Sequence, residues 1–346
     1  MTKPTIDDVA YLAGVSIKTV SRVVNREPNV RDVTRRRVES AIVQLNYRPN
    51  ISARNLASHR SHLVVLIYDD PGTGETPDGG TIVRLQQGAL RACHQAGCEL
   101  LIHPCDVRDK RARPTLQALI ERTRPDGVVI AAPLSNIATV IRPFADAEVP
   151  YVRLSPGTKS VSEYAVGTDD RAVAAKMTQY LANLGHQEIA FISGHDQHRA
   201  VVNRLRGYRD GLANAGIAYR ETRVVAGDNT IRSGAAAAER LLARKKIPTA
   251  IFAANDEMAV GVIQAANRLG IVVPKQLSVA GFDDSTLARF SSPSLTTVRQ
   301  PLAQMAECAV AALFADSDGQ RPPPGINVIP ATLKIRDSTG PVPTVN

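Results

Sequence analysis

The stretch SIKTVSRVVN (16–25) brings together side chains that proteins use to contact DNA. Lys18 can donate to O6 and N7 of guanine, and Ile17 can pack on the methyl group of thymine. Hydroxyl, amide and guanidinium groups contact phosphates, which fix the register on the duplex without reading its sequence. The stretch therefore predicts a DNA-contacting surface that comprises Ser16, Ile17, Lys18, Thr19, Ser21, Arg22 and Asn25. The alternative for Lys18 and Arg22 is a solvated helix face.

A second group of polar side chains follows aliphatic segments further along the chain. Asp69 and Asp70 come directly after LVVLIY (63–68), and Ser155 follows YVRL (151–154). In open α/β sheets, ligands bind outside the carboxyl ends of the strands. We therefore predict that these three residues face a small-molecule site.

The sequence lacks the motifs of common enzyme classes. It has no Walker-type phosphate loop, no GxSxG elbow, no zinc motif and no His beside a plausible nucleophile. The pair Asp169-Asp170 is better explained as a helix cap than as a catalytic carboxylate pair. The four cysteines have no CxxC spacing, which is typical of reduced thiols in a cytosolic protein. We therefore expect a protein that is not an enzyme and that holds neither a metal nor a cofactor.

Three short helices are predicted to position the residues near the N-terminus. The first begins at a capping box formed by Thr5 and Asp8. A tight break follows it, and Ser16 is a good N-cap for a second helix. A third helix is predicted to follow Thr34 and to be ended by Pro49. A helix, a tight turn and a second helix over some twenty residues form the geometry of a helix-turn-helix.

Beyond residue 62, short aliphatic runs alternate with amphipathic helical stretches. Near-continuous aliphatic strands separated by helices predict parallel sheets that are flanked by helices on both faces. The strands are too numerous for one small sheet, so we expect two similar lobes, with the chain crossing between them near 155–168 and again near 290–300. A surface loop at 317–325 is predicted to precede a final strand pair. The runs are LVVLIY (63–68), ELLIH (99–103), GVVIA (127–131), YVRL (151–154), EIAFIS (188–193), TAIFAA (249–254) and LSVAGF (277–282).

Positive charge is concentrated at the start of the chain. The first sixty residues carry 11 Lys and Arg against 5 Asp and Glu, whereas the remaining 286 carry 31 against 28. A basic head on a nearly balanced body indicates a polyanion as partner of the head. We divide the chain into a helix-turn-helix DNA-binding domain (1–49), a hinge or linker (50–62) and a two-lobed effector-binding and dimerisation domain (63–346).

Longer motifs resemble those of a known family. The stretches TIDDVAYLAGVSIKTVSRVVN and TRRRVESAIVQLNYRPNISARNLA resemble the start of LacI/GalR repressors. LGHQEIAFISG (184–194), NRLRGY (203–208), IPTAIFAANDEMAVG (247–261) and LSVAGFDD (277–284) resemble landmarks of their body. The resemblance implies an all-α helix-turn-helix head and a two-lobed α/β body like that of periplasmic binding proteins. It also implies a homodimer that binds double-stranded DNA at a pseudo-palindromic operator.

The resemblance also implies a role for the linker. In this family a hinge helix forms on DNA and inserts a leucine into the minor groove, where an apolar wedge between base steps bends the duplex. Leu56 occupies that position here. Further DNA contacts are implied for Thr5, Asn50, Ala53 and Arg54.

For the body, the resemblance implies an effector site. Arg204 and Asp283 match effector-binding positions of the family, and Asn255 matches a position that often lines the pocket. The alternatives are a surface ion pair for Arg204 and a turn cap for Asp283. Asn229 stands where the family often has an aromatic residue, which argues against a sugar ring stacked there.

We predict a repressor that is released from its operator by a small-molecule inducer, a sugar or sugar derivative. A corepressor-dependent regulator with a purine-like ligand or a protein partner is the alternative within the family. A solute-binding module without a regulatory role is the alternative outside it. The N-terminus lacks the apolar run of a signal peptide and no stretch is long enough to span a membrane, so we expect a cytoplasmic protein.

Overall fold

The computed structural model describes residues 4–24, 29–47, 60–70, 79–157, 163–195, 198–315 and 322–343. The chain forms two compact units, the head (Met1–Ser61) and the body (His62–Asn346). Five residues that we predict to contact DNA lie outside the described residues, and their roles stay predictions. They are Asn25, Asn50, Ala53, Arg54 and Leu56.

The head contains α1 (Ile6–Ala13), α2 (Ile17–Val24) and α3 (Asp32–Gln44). The predicted capping box is confirmed, because the Thr5 hydroxyl accepts from the Asp8 backbone N–H at 3.4 Å and the Asp8 carboxylate accepts from the Thr5 N–H at 2.8 Å. Small apolar side chains from all three helices form the core of the head: Val9, Ala10, Ala13, Val20, Val23, Val38 and Ala41.

The predicted limits of the third helix are wrong. α3 begins at Asp32 rather than after Thr34, and it ends at Gln44, well before Pro49. Leu45 caps it, and Asn46 has a φ of 48°, the left-handed conformation from which a helix cannot continue. Backbone conformation at Asn46, and not proline, therefore ends the helix.

The first lobe of the body is a six-stranded parallel sheet with two layers of helices. Its strands are β1 (Leu63–Asp69), β2 (Glu99–Cys105), β3 (Gly127–Ile130), β4 (Tyr151–Leu154), β5 (Tyr164–Gly167) and β11 (Gly325–Val328). They follow the order β11-β5-β4-β3-β1-β2. The helices are α4 (Gly79–Ala96), α5 (Ala112–Thr123), α6 (Ala138–Asp146) and α12 (Leu302–Ala315).

Both faces of this sheet are covered, as its aliphatic runs predict. Val64 and Leu66 of β1 pack with α4 and α12, whereas Val65 and Ile67 pack with α5 and α6. α4 and α12 approach closely, since a Cβ added at Gly88 would lie 2.1 Å from the carbonyl oxygen of Ala303. Only glycine fits at that crossing.

The second lobe is a four-stranded parallel sheet made of β6 (Ile189–Ser193), β7 (Val224–Ala226), β8 (Ala250–Ala253) and β9 (Ser278–Ala280), in the order β7-β6-β8-β9. Its helices are α7 (Asp170–Asn183), α8 (Arg199–Asn214), α9 (Ile231–Leu242), α10 (Asp256–Arg268) and α11 (Thr286–Phe290). A small antiparallel sheet joins β10 (Thr297–Arg299) to β12 (Thr332–Lys334).

In the described part of the chain, the backbone passes between the lobes at 168–169, at 300–301 and at 329–331. The third passage separates the last two strands. β11 pairs with β5 in the first lobe, while β12 pairs with β10 in the second. The expectation of a final strand pair is therefore wrong, because each strand completes a different sheet.

Candidate functional site

The start of α2 presents an exposed surface. Ser16 caps the helix, since its hydroxyl accepts from the Thr19 N–H at 3.2 Å and lies 2.9 Å from the Thr19 hydroxyl. Val20 is buried in the core of the head. Ile17 is 48% exposed and Lys18 is exposed beside it. This pair can meet a thymine methyl group and a guanine edge.

Among the other described residues of the predicted DNA surface, Thr5 is exposed, whereas Thr19 is half-buried on α2. Ser21 and Arg22 are half-buried on α2, and the Thr5 hydroxyl is engaged in the capping box. Tyr11, which is 92% exposed on α1, was missed by the sequence reasoning. Its position outside the apolar stripe of α1 was the available signal, and a phenol hydroxyl can donate to a phosphate.

A cavity of about 210 Å³ lies between the two lobes of the body. Five of the six residues predicted for the small-molecule site line it: Asp69, Ser155, Arg204, Asn255 and Asp283. Asp70 does not. Asp70, at the next position, is half-buried outside the cavity lining.

Arg204 is the buried cation of the cavity. Its Nε donates to Asp170 at 3.0 Å and its Nη1 donates to the Ala254 carbonyl at 2.6 Å. The guanidinium also lies over Phe282, with Cζ 3.7 Å from the ring centre. Burial raises the pKa of Asp170, and the charge of Arg204 opposes that rise. The ion pair is therefore buried, unlike the surface pair considered for Arg204 from sequence.

Asp283 stands opposite Arg204, with its Oδ1 3.7 Å from Nη1 of the guanidinium. The same oxygen accepts from Gln300 Nε2 at 2.5 Å. Asn255 lies nearby as the N-cap of α10, accepting from the Met258 N–H at 3.0 Å and donating to the Asn229 carbonyl at 2.9 Å. These groups form a preorganised polar wall at the carboxyl ends of the second-lobe strands.

Two acceptors in this cavity are not satisfied by protein. Oδ1 of Asp69 and Oδ1 of Asn229 are buried and have no hydrogen-bond partner among the described residues. Asn229 is only 6% exposed. Burial raises the pKa of Asp69, against the attraction of Arg108. Since a buried acceptor without a donor is costly, both side chains would gain hydrogen bonds by turning toward a ligand that brings hydroxyl or N–H groups.

The two walls differ in chemistry. The first-lobe wall is mostly apolar, with Ile82, Leu85 and Leu154, whereas the second-lobe wall is polar. Several polar lining residues were not predicted from the sequence: Tyr68, Arg108, His195, His198, Asp228 and Gln300. The strand-end rule that selected Asp69 could have selected the residues after β6 as well. No sequence signal pointed to Gln300.

A buried carboxylate anchors the loop that carries Asp283. Asp284 is fully buried, and its oxygens accept from Arg299 Nε at 2.5 Å and from Arg336. Burial alone would raise the pKa of Asp284, but the bonds from Arg336 and Arg299 hold it below its ordinary value. The loop is therefore fixed to the second lobe.

Asp256, next to this anchor, carries a pH-dependence prediction. Burial raises its pKa to about 6, although Thr297 Oγ1 donates to it at 2.5 Å and the Ser285 N–H at 2.7 Å. In the unfolded chain an Asp side chain has a pKa of about 3.9. Between that pKa and the folded one, the folded state keeps a proton on Asp256 that the unfolded state has released. The stability from this group is present below the unfolded pKa and is lost as pH rises to about 6.

We therefore expect the free energy of unfolding of the wild type, relative to Asp256→Asn, to fall by on the order of a few kcal/mol as pH rises from 4 to 6. Urea unfolding of both proteins across that range measures it. Parallel curves for the two proteins would contradict the prediction, whatever their constant offset.

Among the described residues, no group of three or more His, Cys, Asp or Glu side chains is arranged to hold a metal ion. Nor does the described part of the chain contain a helix with the length and apolarity that crossing a membrane requires.

Comparison with known proteins gives two family matches. Residues 5–50 match the family described as bacterial regulatory proteins, lacI family, and residues 178–339 match the periplasmic binding protein-like domain. The regulator DegA of Bacillus subtilis (strain 168) is 32% identical, over 99% of this chain and 100% of its own length.

Two solved structures extend the likeness to the whole fold. The transcriptional regulator CelR in complex with cellobiose is 31% identical, with a TM-score of 0.74 over 97% of this chain and 99% of its own. The Lac repressor dimer bound to operator and the anti-inducer ONPF is 28% identical, with a TM-score of 0.79 over 98% and 100%.

Proposed function

The chain belongs to the LacI/GalR family of bacterial transcriptional regulators, and from this we propose that it is a repressor that binds a pseudo-palindromic operator as a homodimer and responds to a small molecule in the cleft of its body. The observation that carries the proposal is the combination, in one chain, of an exposed Ile17-Lys18 pair at a helix start and a cavity lined by Arg204 and Asp283. In this proposal the protein acts by binding and catalyses no reaction. It works in the cytoplasm, where the operator is.

In the proposed DNA contact, Lys18 and Ile17 read base edges in the major groove, while Arg22 and the hydroxyls of α2 contact phosphates. The exposed Tyr11 adds a phosphate contact from α1. The hinge residues Asn50, Ala53 and Arg54 complete the contact, and Leu56 enters the minor groove.

The proposed effector is a sugar or sugar derivative. A molecule with many hydroxyls supplies the donors that Asp69 and Asn229 need, and it pairs with the fixed groups of Arg204, Asp283 and Gln300. The relative CelR was solved with cellobiose, which supports this class. Since Asn229 replaces an aromatic platform, recognition rests on hydrogen bonds rather than on ring stacking.

In the proposed mechanism, the effector changes the angle between the lobes, and the change alters how the paired hinges fit the operator. A coupling of only ~1–3 kcal/mol between the two sites is enough to switch operator occupancy. The direction that we propose is release of DNA by an inducer.

The test begins with selection of genomic fragments by the purified protein, followed by a salt titration on the best site. Enrichment of a short palindrome, to which the protein binds with an affinity that falls steeply with salt, would support the proposed operator binding. Absence of any enriched sequence at every salt concentration, with and without sugars, would refute it.

The effector part is tested in the same protein with a fluorescent reporter. The chain has no Trp, so Tyr68→Trp places a single fluorophore on the cavity wall. A panel of mono- and disaccharides should contain members that change its emission and also shift operator affinity. A panel that changes neither signal would count against a sugar effector.

A further inference from the structure

One side chain of the first lobe crosses to the loop that carries Asp283. Arg84 lies on α4, and its guanidinium donates from Nη1 to the Asp283 carbonyl at 3.1 Å and from Nη2 to the Asp284 carbonyl. Arg84 is half-buried, and hydrogen bonds from a charged donor are about twice as strong as neutral ones. The rigid fork of a guanidinium requires both carbonyls at fixed positions, so the contact defines one separation of the lobes.

The receiving loop has an unusual backbone. Asp283 has a φ of 118° and Asp284 a φ of 57°, in a region that residues other than glycine rarely adopt. The buried carboxylate of Asp284 holds this conformation through Arg299 and Arg336. A strained conformation that its surroundings over-determine is typical of functional loops.

The same loop faces the cavity on its other side. The Asp283 side chain bonds Gln300 and lies 3.7 Å from Arg204, while its carbonyl accepts from Arg84. One residue therefore joins the cavity to the first lobe. Because the anchored Asp284 follows directly, the side chain and the carbonyl of Asp283 belong to one fixed stretch of backbone.

α4 also contacts the cavity directly. Its residues Thr81, Ile82 and Leu85 line the first-lobe wall. At the start of the helix, a Cβ added at Gly80 would lie 3.4 Å from Cβ of Ser285, so the helix packs against the same loop of the second lobe. The helix that carries Arg84 therefore contacts both the cavity and the loop.

We propose that Arg84 is the positioning residue that couples occupancy of the cavity to the separation of the two lobes. The inference rests on the proposed function and names the residue through which that function is regulated. A ligand that bonds Asp283 holds the loop in the conformation that Arg84 binds. Ligand and Arg84 therefore stabilise the same closed arrangement.

The first experiment measures the lobes without DNA or ligand. Spin labels at Glu121→Cys and Arg240→Cys, both exposed and one in each lobe, report the distance between lobes in a Cys308→Ser background. Excess unlabelled chain suppresses pairs between subunits. We expect Arg84→Gln to broaden the distance distribution and move it to longer distances, and Arg84→Lys to restore it in part, since one ammonium can reach one carbonyl.

Arg91→Gln is the matched control. Arg91 lies on the same helix and its guanidinium bonds Glu307 at 2.7 Å, but both residues belong to the first lobe. This variant should leave the distance distribution as in the wild type. Equal distributions for the wild type and Arg84→Gln would overturn the inference.

The second experiment measures operator affinity with and without the sugar found by the Tyr68→Trp reporter. Wild-type coupling is expected at about 5- to 150-fold, and Arg84→Gln should reduce it to below about 2-fold while the sugar still binds. Unchanged coupling in Arg84→Gln would overturn the inference. If the wild type itself neither binds an operator nor responds to any sugar, the proposed function fails, while the distance measurement still tests the role of Arg84 in the lobes.

Discussion

Replacing Arg204 with leucine is expected to lower the free energy of unfolding by about 3–5 kcal/mol, because it leaves a buried carboxylate without its partner. The carboxylate is that of Asp170, whose side chain is 4% exposed and which accepts from Arg204 at 3.0 Å. The Ala254 carbonyl loses a donor in the same change. Urea unfolding at neutral pH measures the loss.

Arg171→Leu is the matched control for this prediction. Arg171 pairs with Asp210, but the two side chains are 48% and 36% exposed, so its loss should cost far less stability than the loss of Arg204. A similar loss of stability in both variants would mean that burial does not increase the contribution of the Arg204–Asp170 pair to the free energy of unfolding.

Stability and ligand contact at Arg204 are separated by a double variant. Adding Asp170→Asn to Arg204→Leu removes the buried charge, and we expect it to recover most of the lost stability. The effector response should be absent in the double variant, as in Arg204→Leu alone, since no guanidinium then lies beside Asp283 in the cavity wall. A double variant with a wild-type effector response would show that Arg204 is structural only.

The second large effect is expected at Lys18. Lys18→Gln should reduce discrimination at one base pair of each half-site by about 1–3 kcal/mol, roughly 5- to 150-fold in relative affinity. Ile17 remains in place, so neighbouring positions keep their preference. Affinity for the operator and for operators mutated at single positions, measured at one salt concentration, gives the result.

Arg36→Gln removes the same charge from the head at an exposed position of α3. It should weaken binding to all sequences by a similar factor, as expected for general electrostatic attraction. The ratio of specific to non-specific affinity therefore distinguishes the two variants. If Lys18→Gln leaves that ratio at the wild-type value, Lys18 does not read a base.

The strands that the sequence predicts are those with continuous aliphatic runs, and all seven runs contain a strand. Outside those runs, β5, β7 and β10 have three or four residues each and no continuous aliphatic run, so the sequence did not predict them. Their pairing depends on segments far apart, such as Arg299 with Thr332. The paired segments are not neighbours in the chain, so local patterns carry no trace of the pairing.

In the cavity, the partners of single side chains likewise could not be predicted from local sequence. The prediction that Asp169-Asp170 caps a helix is confirmed for Asp169, which accepts from the Ala172 N–H at 2.9 Å. Asp170, one position on, points inward to Arg204 instead. The partner of a buried ion is set by how α7 packs on α8, which cannot be read from two adjacent carboxylates. Arg204 itself was predicted because a long motif surrounds it.

The three passages of the chain between the lobes have a consequence for synthesis. The sheet of the second lobe comes from the uninterrupted segment 189–280, whereas the first lobe needs α12 and β11 from the end of the chain. Until those elements leave the ribosome, the cluster that contains Val64, Leu66 and Val129 is covered by α4 but lacks α12. At 5–20 residues per second, the wait from residue 167 to residue 328 lasts about 8–30 s. The lobe that is translated first therefore waits longest for the elements that complete its main sheet, and we expect it to be the part of the nascent chain that chaperones bind.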